Sequence, residues 1–187
     1  MIYLKNAWPF LLCGLLFGCS TKINDYEKSE TQFDIKQYFN GSVIGWGMVQ
    51  DYSLHVTRRF CVELQGRWQE DKGVLAETFY FTDGEVSYRN WQLLKQKDGS
   101  YQGSAGDVKG LAFGVHKGFA FQLQYSLLLK VDDDTYKVDM DDWMYQLDEF
   151  RVINKTSINK FGVKVAEVNL FFDKETPAKR CTDAFKS

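Results

Sequence analysis

Proline and histidine are scarce in this chain of 187 residues, with 2 of each. His55 and His116 lie far apart, and no His or Cys cluster shows the spacing of a zinc site. The run Asp132-Asp133-Asp134 lacks the alternation and the glycine of a calcium loop and reads as a solvated turn. No Gly-x-Ser-x-Gly elbow presents a nucleophile, and Gly45-Trp46-Gly47 lacks the following helix that a phosphate loop needs. Positive charge is not in excess either: 23 Lys and Arg against 25 Asp and Glu give a formal net charge of -2, with no basic stripe for nucleic acid. These absences leave no metal, no cofactor and no catalytic motif to read, and the chain is expected to be a binding or structural protein rather than an enzyme.

What is present is 16% aromatic content with 15 glycines, a balance that suits pleated sheets whose interiors are filled by flat side chains. Leu54, Val56, Phe60, Val62 and Leu64 alternate with His55, Thr57, Arg59 and Glu63, and the same period of two runs from Phe119 to Leu129. One face is apolar and one polar, as in antiparallel sheets. Turn signals at Thr82-Asp83-Gly84, Lys97-Asp98-Gly99-Ser100 and Asp132-Asp133-Asp134 separate such runs at hairpin spacing. The pattern predicts strands near residues 43–50, 54–65, 74–82, 85–94, 101–109, 118–130, 135–146, 149–154 and 161–172. Eight to nine strands with short connections make an all-β, antiparallel, up-and-down barrel. A β-sandwich is the alternative, though it needs longer crossings.

The N-terminus carries a different signal. Lys5 precedes a mostly apolar run from Ala7 through Phe17, too short to span a bilayer and of the length of a signal-peptide core. Leu16-Phe17-Gly18-Cys19 resembles the lipobox of bacterial lipoproteins, which implies a signal peptide at residues 1–18 and acylation of Cys19. Ser20 follows where an inner-membrane retention signal would place Asp, so the expected address is the periplasmic face of the outer membrane. Residues 19–32 read as the lipidated Cys and a polar tether, and residues 33–187 as one barrel domain. The partners expected on this reading are the membrane, through N-terminal acyl chains, and a small apolar or lipid ligand.

Phe33-Asp34-Ile35-Lys36-Gln37-Tyr38-Phe39-Asn40-Gly41 resembles the opening of lipocalins, which implies a short helical turn before the first strand. Across nearly the whole mature chain, Gly45-Trp46-Gly47, Arg58-Arg59-Phe60, Glu77-Thr78-Phe79, Arg89-Asn90-Trp91, Gly106-Asp107-Val108, Asp141-Asp142-Trp143-Met144-Tyr145 and Lys160-Phe161-Gly162-Val163 resemble the proteobacterial lipoprotein family catalogued as domain of unknown function 3833. That resemblance implies location and fold type, with no activity attached.

Five residues are candidates for a ligand site. Arg58 falls on the apolar side of its strand between Val56 and Phe60, and Glu77 does so between Leu75 and Phe79. An inward charge is costly unless paired. The pair is therefore either a polar anchor for a ligand head group or a structural ion pair, Arg58 to Glu77 or Arg58 to Asp142. Asp142 interrupts the run set by Tyr136, Val138 and Met140, which predicts an inward carboxylate or a bulge. Trp46 and Trp143 are expected to be buried against the barrel wall. Of the 4 cysteines, Cys13 belongs to the signal peptide and Cys19 to the lipid, leaving Cys61 and Cys181 as a disulfide pair or as two unrelated thiols.

Overall fold

The computed structural model describes residues 21–131, 133–175, 181–183 and 185. The expected signal peptide and Cys19 lie outside the described residues, as does Asp132 of the expected Asp132-Asp133-Asp134 turn. The strands are β1 (Gly41–Asp51), β2 (Val56–Gln69), β3 (Lys72–Phe81), β4 (Val86–Lys95), β5 (Tyr101–Ser104), β6 (Val108–Lys117), β7 (Ala120–Val131), β8 (Asp134–Gln146), β9 (Arg151–Lys160) and β10 (Val163–Asp173). Each pairs antiparallel with its sequence neighbours, and β1 also pairs with β10, which closes the barrel and leaves no free sheet edge.

Ten strands stand where the sequence suggested eight to nine. The segment read as one strand over 101–109 is two, because β5 stops at Ser104 and turns before Val108. β6 has no clear apolar period: its core-facing positions include Ala112 and Gly114, while Leu111, Phe113 and Val115 are exposed. The small residues make room for a neighbour. A side chain at Gly114 would place its Cβ 2.4 Å from the Phe121 ring. The strand read as 149–154 continues to Lys160, since Asn154 and Thr156 are polar yet buried.

Turn chemistry acts at two of the expected positions. Asp83 accepts from the backbone N–H of Glu85, and Gly84 takes a left-handed conformation at φ 89°. Asp98 accepts from the Ser100 N–H, with Gly99 at φ 85°.

One end of the barrel is sealed by the residues before β1. A short helix α1 (Ile35–Tyr38) is capped by Asp34, whose Oδ1 accepts from Lys36 N–H at 2.8 Å. The same carboxylate takes Tyr101 Oη and Lys95 Nζ, both at 2.6 Å, and so ties the helix to β5 and β4. Phe33, Ile35, Tyr38 and Phe39 are all buried, and Phe39 meets Phe172 edge-on at 5.3 Å. The plug needs Gly66, where a Cβ would lie 1.5 Å from the Phe39 carbonyl oxygen. Residues 21–32, read as a tether, include a 3-10 turn (Ile23–Tyr26) whose Tyr26 ring rests on Phe119, Trp143 and Tyr145 at the same end.

On the outer wall, Cys61 of β2 is bonded to Cys181, with Cα atoms 5.4 Å apart. Both are buried, with Ile44 beside them and Trp46 and Tyr80 packed against the cluster.

Candidate ligand cavity

The barrel interior is open rather than filled. A cavity of about 760 Å³ runs through it, within the range of small-molecule sites. Its lower part is bounded by Leu64, Leu75, Leu93, Phe121 and Leu123 above the α1 plug, and its upper part by Phe79, Leu127, Val138, Ile158 and Val168. This follows from the strand period, which turns every second side chain of each strand inward.

A polar belt crosses the apolar shaft. Glu77 and Arg89 are cross-strand partners on β3 and β4. Arg89 donates from Nε and Nη2 to Asp107 Oδ2, at 2.9 and 2.7 Å. Across the interior, Asp142 of β8 accepts from Asn154 Nδ2 of β9, and Thr156 donates to Asn154 Oδ1 at 3.4 Å. Trp91 and Tyr125 meet edge-on at 5.2 Å in the same layer.

Burial dominates the electrostatics of this belt. It pushes the Glu77 carboxyl up to about 7, against the partial offset of the nearby Arg89 guanidinium. Asp142 rises to about 6 for the same reason, with the Asn154 hydrogen bond and the neighbouring Thr156 hydroxyl opposing the rise. Burial and the Asp142 charge raise the Tyr125 phenol. Burial alone would depress Arg89, but Glu77, Tyr125 and Asp107 hold it above its usual value. Glu77 Oε2 and Asp107 Oδ1 are shut away without a hydrogen-bond partner.

The family described as Protein of unknown function (DUF3833) matches residues 13–174. The chain is a member of the DUF3833 family. No curated protein matches the chain. The matched span contains all ten described strands, so the whole cavity lies within the DUF3833 unit, whereas Cys181 lies beyond it.

Of the residues singled out from sequence, the DUF3833 barrel brings Glu77 and Asp142 into the belt of the cavity, leaves Arg58 on the cavity's rim and places Trp46 and Trp143 outside it. Asp142 points inward with β8 in unbroken register, so no bulge is needed there. Arg58 pairs with neither carboxylate. Leu64 is the β2 partner of Glu77, and Arg58 lies six residues further along the strand, about 20 Å away. At that height Arg58 stands at the open mouth, bound to Asp83 and Glu85 at 2.7 and 2.8 Å and lying over the Phe81 ring.

Trp46 and Trp143 do not line the cavity of the DUF3833 barrel. Trp46 is the β2 partner of Cys61 on the outer face, and its flanking glycines face inward, where a Cβ at Gly47 would strike the Phe60 ring at 2.4 Å. Trp143 is buried on the outside beneath Tyr26, with its indole N–H on Asp141.

Arg89, Asp107, Tyr125, Asn154 and Thr156 were not singled out from sequence. Arg89 was within reach, because it shares the odd positions of β4 with Trp91 and Leu93. Asp107 sits in a turn, and nothing in the sequence directs it inward.

The mouth is rimmed by hairpin tips. The β1–β2 and β9–β10 tips are neighbours, since β1 pairs with both β2 and β10. They carry Tyr52, Leu54, Phe161 and Val163, which are 81, 64, 93 and 66% exposed.

Proposed function

We propose that this protein binds a lipid ligand, one with a fatty acyl chain or a comparable apolar body, inside the barrel. The observation that carries the reading is the open shaft of about 760 Å³, walled by aliphatic and aromatic side chains and sealed only at the α1 end. Each methylene moved from water into such a wall contributes about 0.8 kcal/mol, enough over a long chain to outweigh the cost of immobilising it. The exposed apolar tips at the mouth suit a ligand that enters hydrocarbon first. Binding is favoured over catalysis because Arg58 is held at the rim by Asp83 and Glu85, away from Glu77 and Asp142, so the three charged candidates do not form one cluster. In this proposal the chain acts as a periplasm-facing outer-membrane lipoprotein anchored through Cys19, as the lipobox-like Leu16-Phe17-Gly18-Cys19 supports.

Organic extraction of the full-length protein, followed by mass spectrometry, tests the binding. A lipid is expected at near-stoichiometric yield, and it should be lost from Val168→Trp and Ala166→Trp, which fill the shaft at two depths, provided each variant melts near the parent temperature. No lipid, or equal recovery from the blocked variants, overturns the reading. For the anchor, Cys19→Ala should leave the membrane fraction. Unchanged membrane partition of that variant would refute the anchoring.

A further inference from the structure

The polar belt has a chemical sense of its own. It holds three carboxylates, Glu77, Asp107 and Asp142, against one guanidinium, Arg89, and that guanidinium is already committed to Asp107. Among the described residues that line the cavity, the buried side-chain atoms left without partners are two carboxylate acceptors at the belt, Glu77 Oε2 and Asp107 Oδ1, and one donor at the mouth, Arg58 Nε. An enclosed acceptor without a donor is costly, and a ligand that supplies the donor relieves that cost. A ligand that brings a further anion adds a like charge beside Glu77 and Asp142 in a poorly screened interior. The remaining cations that line the cavity, Arg58 and Lys130, stand at the mouth. Arg58 is neutralised by Asp83 and Glu85, and the belt lies about 13 Å deeper, four residues along β3 from Phe81.

We propose that the belt selects ligands whose polar group donates hydrogen bonds, an amine, amide or hydroxyl carried on hydrocarbon, and disfavours free fatty acid anions. The proposal rests on the lipid-binding reading and narrows it to a class of head group. Glu77 is its principal acceptor. The groups around that carboxyl are Arg89 and Trp91 from β4, Asp107 from the β5–β6 turn, Tyr125 from β7 and Asp142 from β8. Trp91 already gives Glu77 one hydrogen bond and Arg89 alone among these groups carries positive charge, so an ammonium or hydroxyl placed there answers the unpartnered Glu77 Oε2 and Asp107 Oδ1. The elevated affinity of Glu77 for a proton agrees with this, since a proton is the smallest donor that can occupy the same place.

Native mass spectrometry of the full-length protein released from detergent distinguishes the outcomes. The probes are three straight-chain amphiphiles of equal carbon number, an alkylamine, a monoacylglycerol and a fatty acid, tested at about pH 8, above the titration of Glu77. The amine and the monoacylglycerol should bind at least about tenfold more tightly than the fatty acid. Glu77→Gln should shrink the preference for the amine over the fatty acid by about fivefold or more, and Asp142→Asn should act in the same direction. Binding by Val168→Trp marks non-specific uptake and is subtracted. A fatty acid that binds as well as the amine, or a ranking untouched by Glu77→Gln and Asp142→Asn together, overturns the donor assignment and leaves lipid binding standing. Binding of none of the three overturns both.

Discussion

Glu77 and Arg89 face each other across β3 and β4, yet Arg89 gives its Nε and Nη2 hydrogen bonds to Asp107. One cation thus serves two carboxylates, by contact for Asp107 and through space for Glu77.

Replacing it exposes both dependencies. In Arg89→Met the belt keeps three carboxylates and loses its only cation. Removing one partner of a buried pair costs about 3–5 kcal/mol. Asp107 keeps some contact with solvent, so a loss of about 2–3 kcal/mol is expected in denaturant unfolding. A loss under about 1 kcal/mol would show that the belt does not rely on Arg89 for charge balance.

The raised Glu77 carboxyl links stability to pH with a definite sign. Its folded value of about 7 lies above the ordinary 4.5, so the folded state holds the proton more tightly than the unfolded chain. Its contribution is fully present below 4.5, declines through the window from 4.5 to about 7, and is lost above that. Asp142 acts alike between 3.8 and about 6. Glu77→Gln removes the dependence, so its stability relative to the parent should climb across that window by about 3 kcal/mol. Parallel stability curves for the two proteins would contradict this.

The bond between Cys61 and Cys181 spans a sequence separation of 120 residues. In the chain-entropy account, closing so large a loop contributes on the order of 4 to 5 kcal/mol. Reduction, or Cys181→Ala, should lower the melting temperature accordingly, and the intact protein should resist alkylation at both positions. Ready alkylation without reductant would argue against the bridge in solution.

Phe161 and Gly162 form the β9–β10 turn with φ of 53° and 78°, a backbone that favours Asn-Gly. A bulky residue at positive φ is strained, and here it is also 93% exposed. Phe161→Asn should therefore stabilise the fold by about 1 kcal/mol while slowing uptake of an apolar probe. A variant that is no more stable would mean the turn carries no strain, and unchanged uptake would remove Phe161 from the entry route.

The legible part of this fold is the part where polarity and direction agree. β2 and β7 announce themselves because Val62, Leu64, Leu123 and Leu127 face in and their neighbours face out. β6 and the second half of β9 do not, because Gly114, Asn154 and Thr156 occupy inward positions for reasons set by other strands: the bulk of Phe121 and the carboxylate of Asp142. Period two placed Glu77 on the inner face, but neither the depth at which a charge sits nor the neighbour it meets follows from its own strand. Arg58 shows this, since only the β2–β3 register separates it from Glu77.

Closure through β1 and β10 also fixes an order of events. Ile44 and Asp173 are register partners, so the ring completes only when the beginning and the end of the barrel meet. A chain synthesised from its N-terminus presents β1 long before its second partner exists, and pairings between such distant residues form slowly. Until β10 arrives, β1 and β9 are open edges able to pair with other chains. Loss of even the last strand would thus convert a molecule without edges into one with two, and aggregation rather than a smaller barrel is the expected fate of such a truncation.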